Sequence, residues 1–119
     1  MAEFQLLNTT DFVTTLEKEA IINFLLENLD DYTESRDNVS RAIEYALSKF
    51  PHQGGFILMA KNGNEIQGVA VVNRTNFEEY FPENILVFIA TSRDERRKGI
   101  ALELLSRTKV YSKGSILVR

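Results

Sequence analysis

Three cations in a row, Arg96-Arg97-Lys98, lead directly into Gly99-Ile100-Ala101. The apolar run Ile85–Ala90 lies upstream of this segment and the amphipathic stretch Leu102-Glu103-Leu104-Leu105 lies downstream. A buried strand that breaks at a glycine-containing loop and turns into a helix aims several backbone NH groups, and the positive end of the helix dipole, at one spot. That spot favours an anion. A phosphate there gains charge-assisted hydrogen bonds in addition to the dipole, so a phosphorylated cofactor is the natural guest. The other reading of Arg93–Lys98 is a solvated charged surface, and the strand-to-helix context argues against it. Other nucleotide motifs are missing: there is no Gly-x-x-x-x-Gly-Lys-Ser/Thr, and no Gly-x-Gly-x-x-Gly follows a strand.

Other reactive groups are sparse. The chain has no cysteine, which removes disulfides, thiolate metal sites and sulfur nucleophiles together. Its single histidine, His52, follows Pro51 in a polar segment and reads as an exposed turn residue. Without a second histidine or a nucleophile-elbow serine, neither a catalytic triad nor a metal site is expected. The acidic run Asp30, Asp31 and Glu34 reads either as a solvated turn or as carboxylates that attract a cation, with Tyr32 beside them. Phe77, Tyr80 and Phe81 lack interleaved basic residues apart from Arg74, so they read as packing and not as a stacking platform for bases.

Composition bounds the class. At 119 residues, 44% apolar and 26% charged, the chain is expected to form one globular domain. A formal net charge of -3 speaks against general binding to nucleic acid or to an anionic membrane. The start, Met1-Ala-Glu-Phe-Gln5, lacks the basic-then-apolar pattern of a signal peptide, and Ile85–Ala90 is too short to span a bilayer. A cytoplasmic protein is expected.

The elements that would position the loop follow from periodicity. Phe4–Leu7 reads as a strand, with Asn8-Thr9-Thr10-Asp11 as capping oxygens for a helix over Phe12–Leu29. That helix would bury Phe12, Leu16, Ala20, Ile21, Phe24, Leu25 and Leu29. A second helix buries Val39, Ala42, Ile43, Ala46, Leu47 and Phe50 until Pro51 stops it. Phe56–Ala60 and Glu65–Asn73 flank an Asn-Gly turn and should pair antiparallel. Arg74–Glu83 is a connection. Asn84–Thr91 is a fourth strand, apolar on both faces and hence central. A third helix over about 98–109 turns Ile100, Ala101, Leu104 and Leu105 inward and ends near Gly114, and Ser115–Arg119 begins a fifth strand. The order β-α-α-β-β-β-α-β describes an α/β domain with a mixed sheet.

Arg96, Gly99 and Ala101, set between that strand and that helix, match the fixed positions of the pyrophosphate loop of the GNAT superfamily, which the whole chain resembles in element order. The resemblance implies a mixed, mostly antiparallel sheet with helices on both faces, truncated after strand five, so that residues 1–119 form a single but incomplete domain. It implies acetyl-CoA or another acyl-CoA as co-substrate, no metal, and N-acetyl transfer to a small-molecule or peptide amine by direct attack. Backbone NH groups of Arg97, Lys98, Gly99, Ile100 and Ala101 would hold the pyrophosphate, with Arg96 closing the loop. Gly99 would leave room for the phosphates, and Ala101 would let the helix pack closely. Ile89, Ala90 and Thr91 would pair their backbone with the pantetheine arm where strands four and five splay apart. Asp30, Asp31 and Tyr32 would border the acceptor site. In some members a glutamate on strand four is the general base; its position falls on Ile85 here, and Glu83, on the same face, is the substitute. The family's further helix and two strands are absent, which leaves the outer edge of strand five open to a second copy. A CoA-binding or oligomerisation fragment without turnover is thus the alternative to an active enzyme.

Overall fold

A computed structural model describes residues 2–29, 34–75, 83–93, 99–112 and 116–118. The described elements are β1 (Glu3–Asn8), α1 (Thr15–Asn28), α2 (Arg36–Leu47), β2 (Gly55–Asn62), β3 (Glu65–Arg74), β4 (Asn84–Thr91), α3 (Ile100–Tyr111) and β5 (Ile116–Val118). The five strands lie side by side in chain order, antiparallel from β1 through β4, with β5 parallel to β4. The mixed, mostly antiparallel sheet expected from the sequence is therefore present, and β4 has a neighbour on each side.

β-Branched and apolar residues run along β2 and β3 on both faces because both faces are covered. On one face Ile57, Met59, Val69 and Val71 meet Ile21 and Leu25 of α1 and Val39 and Ile43 of α2. On the other, Leu58, Ala70, Val72 and Leu86 meet Ile100 and Leu104 of α3. Arg107 over the ring of Phe4, 4.1 Å from its centroid, and Tyr111 edge-on to Phe56 extend that second contact. The β2–β3 hairpin turns on Gly63-Asn64 between the paired residues Asn62 and Glu65. Gly63 there has φ +61, as a two-residue loop with glycine in first place requires.

Several sequence expectations fail at helix ends. α1 starts at Thr15 because Thr14 and Glu17 form a reciprocal capping box; Asn8 to Asp11 instead close a local turn, Asn8 N donating to Asp11 Oδ2 at 2.8 Å. Phe12 therefore precedes the helix and is 89% exposed, and Leu16 in its first turn is 82% exposed. Ala20 is exposed too, while Val13 and Ile22 are buried in their place. α2 is capped by Ser35, whose Oγ accepts from Asn38 N, and it ends at Leu47 before Pro51 is reached, leaving Phe50 exposed. α3 ends on Ser112, an extended residue whose N and Oγ both donate to Thr108 O; Gly114 lies outside the described residues. Phe77, Tyr80 and Phe81 lie outside them as well.

Candidate functional site

The loop between β4 and α3 is described at its two ends. Ser92 N donates to Gln67 O at 2.9 Å, holding the exit of β4 against β3, and Gly99 caps α3 in the left-handed region at φ +78. Arg96, Arg97 and Lys98 lie outside the described residues. The first helical bond runs from Glu103 N to Gly99 O, 3.0 Å, and no side chain among the described residues caps this end. The NH groups of Ile100, Ala101 and Leu102 therefore have no acceptor within the helix, and the dipole adds positive potential in front of them. A Cβ built on Gly99 meets nothing within 4 Å among the described residues. The left-handed backbone conformation accounts for glycine at this position.

One inward assignment on α3 changes. Ala101 is exposed, so it does not mediate close packing of the helix; Leu105 is half-buried against the core, as expected, and Thr108 is buried as well. The close approach is made by Gly68 of β3, where a Cβ would fall 2.7 Å from Leu104 Cδ1 and 3.1 Å from Ile100 Cγ2. A glycine within the apolar run Val69–Val72 and its flank was the available signal for such contact.

β4 carries the next part of the site. Its register against β3 slips so that Val72 faces Leu86 and Val71 faces Phe88, leaving Val87 as an inserted residue. Such a bulge puts two successive side chains on one face. Val87 and Phe88 both pack toward α1 and α2, while Leu86 and Ile89 pack toward α3. β5 pairs with β4 only over Asn84, Ile85 and Leu86. From Val87 to Thr91, the side of β4 turned from β3 has no strand partner among the described residues, so Ile89, Ala90 and Thr91 offer an edge to an amide-bearing ligand. Ala90 and Thr91 are buried and Ile89 half-buried, so the offer is mainly backbone.

Beside the bulge lies a cleft of about 390 Å³. Glu34, Asn38, Arg41 and Tyr45 form its helical wall, and Asn73, Val87 and Phe88 form its sheet wall. Asn73 Oδ1 is buried without a hydrogen-bond partner among the described residues. Tyr45 is held in place: its hydroxyl donates to Arg74 O at 2.8 Å, with His52 O at 3.1 Å, and burial raises its pKa above the ordinary tyrosine value. His52 itself is an exposed turn residue with φ +68.

Of the acidic run, Glu34 reaches this cleft, while Asp30, Asp31 and Tyr32 lie outside the described residues. Glu83 sits one residue before β4, its carbonyl accepting from Thr75 N at 2.8 Å, and it is not among the described residues that line the cleft. Sequence reasoning missed Asn38, Arg41, Tyr45 and Asn73, whose convergence depends on how α2 crosses the bulge. Among the described residues no three His, Cys, Asp or Glu side chains group as metal ligands, and no helix is long and apolar enough to cross a membrane.

The model of the acetyltransferase (GNAT) family matches residues 20–115. No curated protein matches significantly. Among solved structures, the chain resembles the ribosomal-protein-S18-alanine N-acetyltransferase of Escherichia coli, with 12% identity and TM-score 0.57 over 88% of this chain and 56% of that one. It also resembles a transcriptional regulator of Bacillus halodurans, with 18% identity and TM-score 0.67 over 100% of this chain and 81% of that one. A GNAT family acetyltransferase of Staphylococcus aureus aligns at 18% identity and TM-score 0.65, over 100% of this chain and 87% of that one. The chain thus spans little more than half of the Escherichia coli enzyme. At such identities the structural likeness concerns the fold.

Proposed function

This chain belongs to the acetyltransferase (GNAT) family, and from that premise we propose that it transfers an acetyl group from acetyl-CoA to an amine held in the cleft between α2 and the β3–β4 pair. The observation that carries the reading is the bulge at Val87. There the stretch of β4 that has no second strand partner among the described residues, and that runs on toward the start of α3, meets the cleft.

Acetyl-CoA would supply the activated thioester; the protein's part is to bind, orient and deprotonate. The NH groups of Ile100 and Ala101, with those of Arg97, Lys98 and Gly99, would take the pyrophosphate, and Arg96 would close over it. The backbone of Ile89, Ala90 and Thr91 would pair with the amide-bearing arm and direct its end to Val87 and Phe88. Backbone NH of β4 would polarise the acyl carbonyl. Holding the two reactants at one bulge supplies proximity, which is worth several powers of ten in rate.

The amine must lose a proton before attack, since an alkylamine with a pKa near ~10 is mostly protonated at neutral pH. Glu34, which lines the cleft, would attract the ammonium and accept that proton. Asp30, Asp31 and Tyr32 would extend the acceptor wall, and Glu83 is the second carboxylate near the start of β4.

Thermal unfolding with acetyl-CoA, followed by mass-spectrometric detection of acetylated amines, tests this. A ligand present at a thousandfold over its Kd stabilises the folded state by about 4 kcal/mol. Stabilisation with turnover is expected. Stabilisation without transfer to any amine would leave a CoA-binding module in its place, and neither would remove the reading altogether.

A further inference from the structure

Arg41 and Tyr45 line two depressions at once. One is the cleft beside the bulge. The other is a groove of about 760 Å³ along the outer side of α2, which reaches from Lys18 and Glu44 to Lys49 and Phe50 beyond the end of the helix. The cleft alone has the size of a small-ligand site. The groove adjoins it at Arg41 and Tyr45, the two residues that line both, and the pair would serve an extended ligand as one trough.

The chemistry of that trough is specific. Lys18 is neutralised by Glu44, 3.1 Å away. Arg41 and Lys49, by contrast, are exposed and make no ion pair among the described residues, so two cations stand uncompensated on a chain whose net charge is -3. The same groove is lined by the half-buried Leu47 and the exposed ring of Phe50. The wall common to both parts is fixed, because the Tyr45 hydroxyl is tied to the Arg74 carbonyl.

We infer that the acceptor is an acidic polypeptide segment presenting a primary amine, its amine in the cleft and its neighbouring residues along α2. Carboxylates of the segment meet Arg41 and Lys49, and an apolar side chain lies on Phe50. Length argues for a polypeptide: a small metabolite would fill the cleft and leave the groove unused. Charge argues for acidic residues, since unpaired cations beside an apolar strip discriminate between partners of opposite sign. This inference rests on the acyl-transfer reading of the cleft.

The test uses the full chain and short fluorescent peptides containing glutamates and one phenylalanine, with counterparts in which arginine replaces glutamate. One arm carries a free amino terminus, and the other a blocked terminus and a single lysine. Fluorescence anisotropy should show the acidic peptides binding at least about tenfold more tightly than their arginine counterparts at low salt, with the gap closing as salt rises. The Arg41→Glu, Lys49→Glu double variant should reverse the preference. Gain of binding to the arginine peptide cannot come from misfolding. Mass spectrometry with acetyl-CoA then tells which arm carries the acetylated amine. Equal binding of the two peptide charges, or a preference unmoved by the double variant, overturns the inference. Small amines acetylated with no peptide preference would leave acyl transfer standing and remove the groove. Charge-selective binding without acetylation of either peptide would overturn the inference, because the bound segment would then not be the acceptor; absence of any acetylated amine would remove acyl transfer itself.

Discussion

Gly99 is where backbone conformation and ligand binding can be separated by substitution. Its φ of +78 lies in the left-handed region, and its absent Cβ would touch nothing within 4 Å among the described residues. Gly99→Ala therefore introduces strain without a clash, about 1–2 kcal/mol. In a chain of this size each kcal/mol lowers Tm by roughly 4 °C. Gly99→Asn should cost much less, because asparagine tolerates that conformation. Gly99→Glu adds a carboxylate in front of the α3 amides. Repulsion at about 4 Å in a water-like medium is about 1 kcal/mol per charge pair, so two charges on a pyrophosphate give about 2 kcal/mol. That corresponds to roughly thirtyfold weaker binding. Calorimetric titration of acetyl-CoA, paired with thermal unfolding of each variant, reads both effects. Affinity of Gly99→Glu within about twofold of the parent would refute the placement of the diphosphate at this turn. A Tm of Gly99→Ala equal to the parent's would refute the conformational argument.

Other expectations follow from packing and burial. Gly55→Ala should be severely destabilising, by more than about 3 kcal/mol, since its Cβ would fall 1.9 Å from the Val72 carbonyl oxygen; chemical denaturation measures it. Gly68→Ala should cost about 1–3 kcal/mol by pushing on Leu104, and the double variant with Leu104→Ala should recover part of that in a double-mutant cycle. Leu25→Ala should cost about 2–5 kcal/mol because Leu25 is fully buried, whereas Leu16→Ala should stay within about 0.5 kcal/mol; equal effects would contradict the placement of α1. Burial raises the Tyr45 pKa, so the folded state keeps this proton after the unfolded chain has released it. Its contribution to stability is therefore fully present below about pH 10 and declines as pH rises from there through the folded value. Tyr45→Phe should lose about 1 kcal/mol at neutral pH through the Arg74 carbonyl, with the deficit shrinking in alkali as followed by denaturant melts; a deficit that grows would contradict the assignment.

Much of this architecture was legible in the residues. The boundaries of β4, Asn84–Thr91, match its apolar stretch, and the Asn-Gly segment marked the β2–β3 hairpin. The turn into α3 was read from Gly99 and the cations before it. What stayed hidden has physical causes. Phe12 and Leu16 satisfy helical spacing, but the capping box of Thr14 and Glu17 starts α1 later, and the buried residues of α1 begin only at Ile21. The Val87 bulge leaves no trace in the sequence because β4 is apolar on both faces, so a slip in alternation cannot be seen. The cleft residues Asn38, Arg41, Tyr45 and Asn73 come together through the crossing of α2 over the sheet, which no local pattern encodes.

Amide chemical shifts recorded while acetyl-CoA is titrated into the protein address the donor site most directly. Shifts concentrated on Val87–Thr91 and on Gly99, Ile100 and Ala101, saturating together, are the expected result. Saturable binding that leaves those amides unmoved and perturbs another face would contradict it.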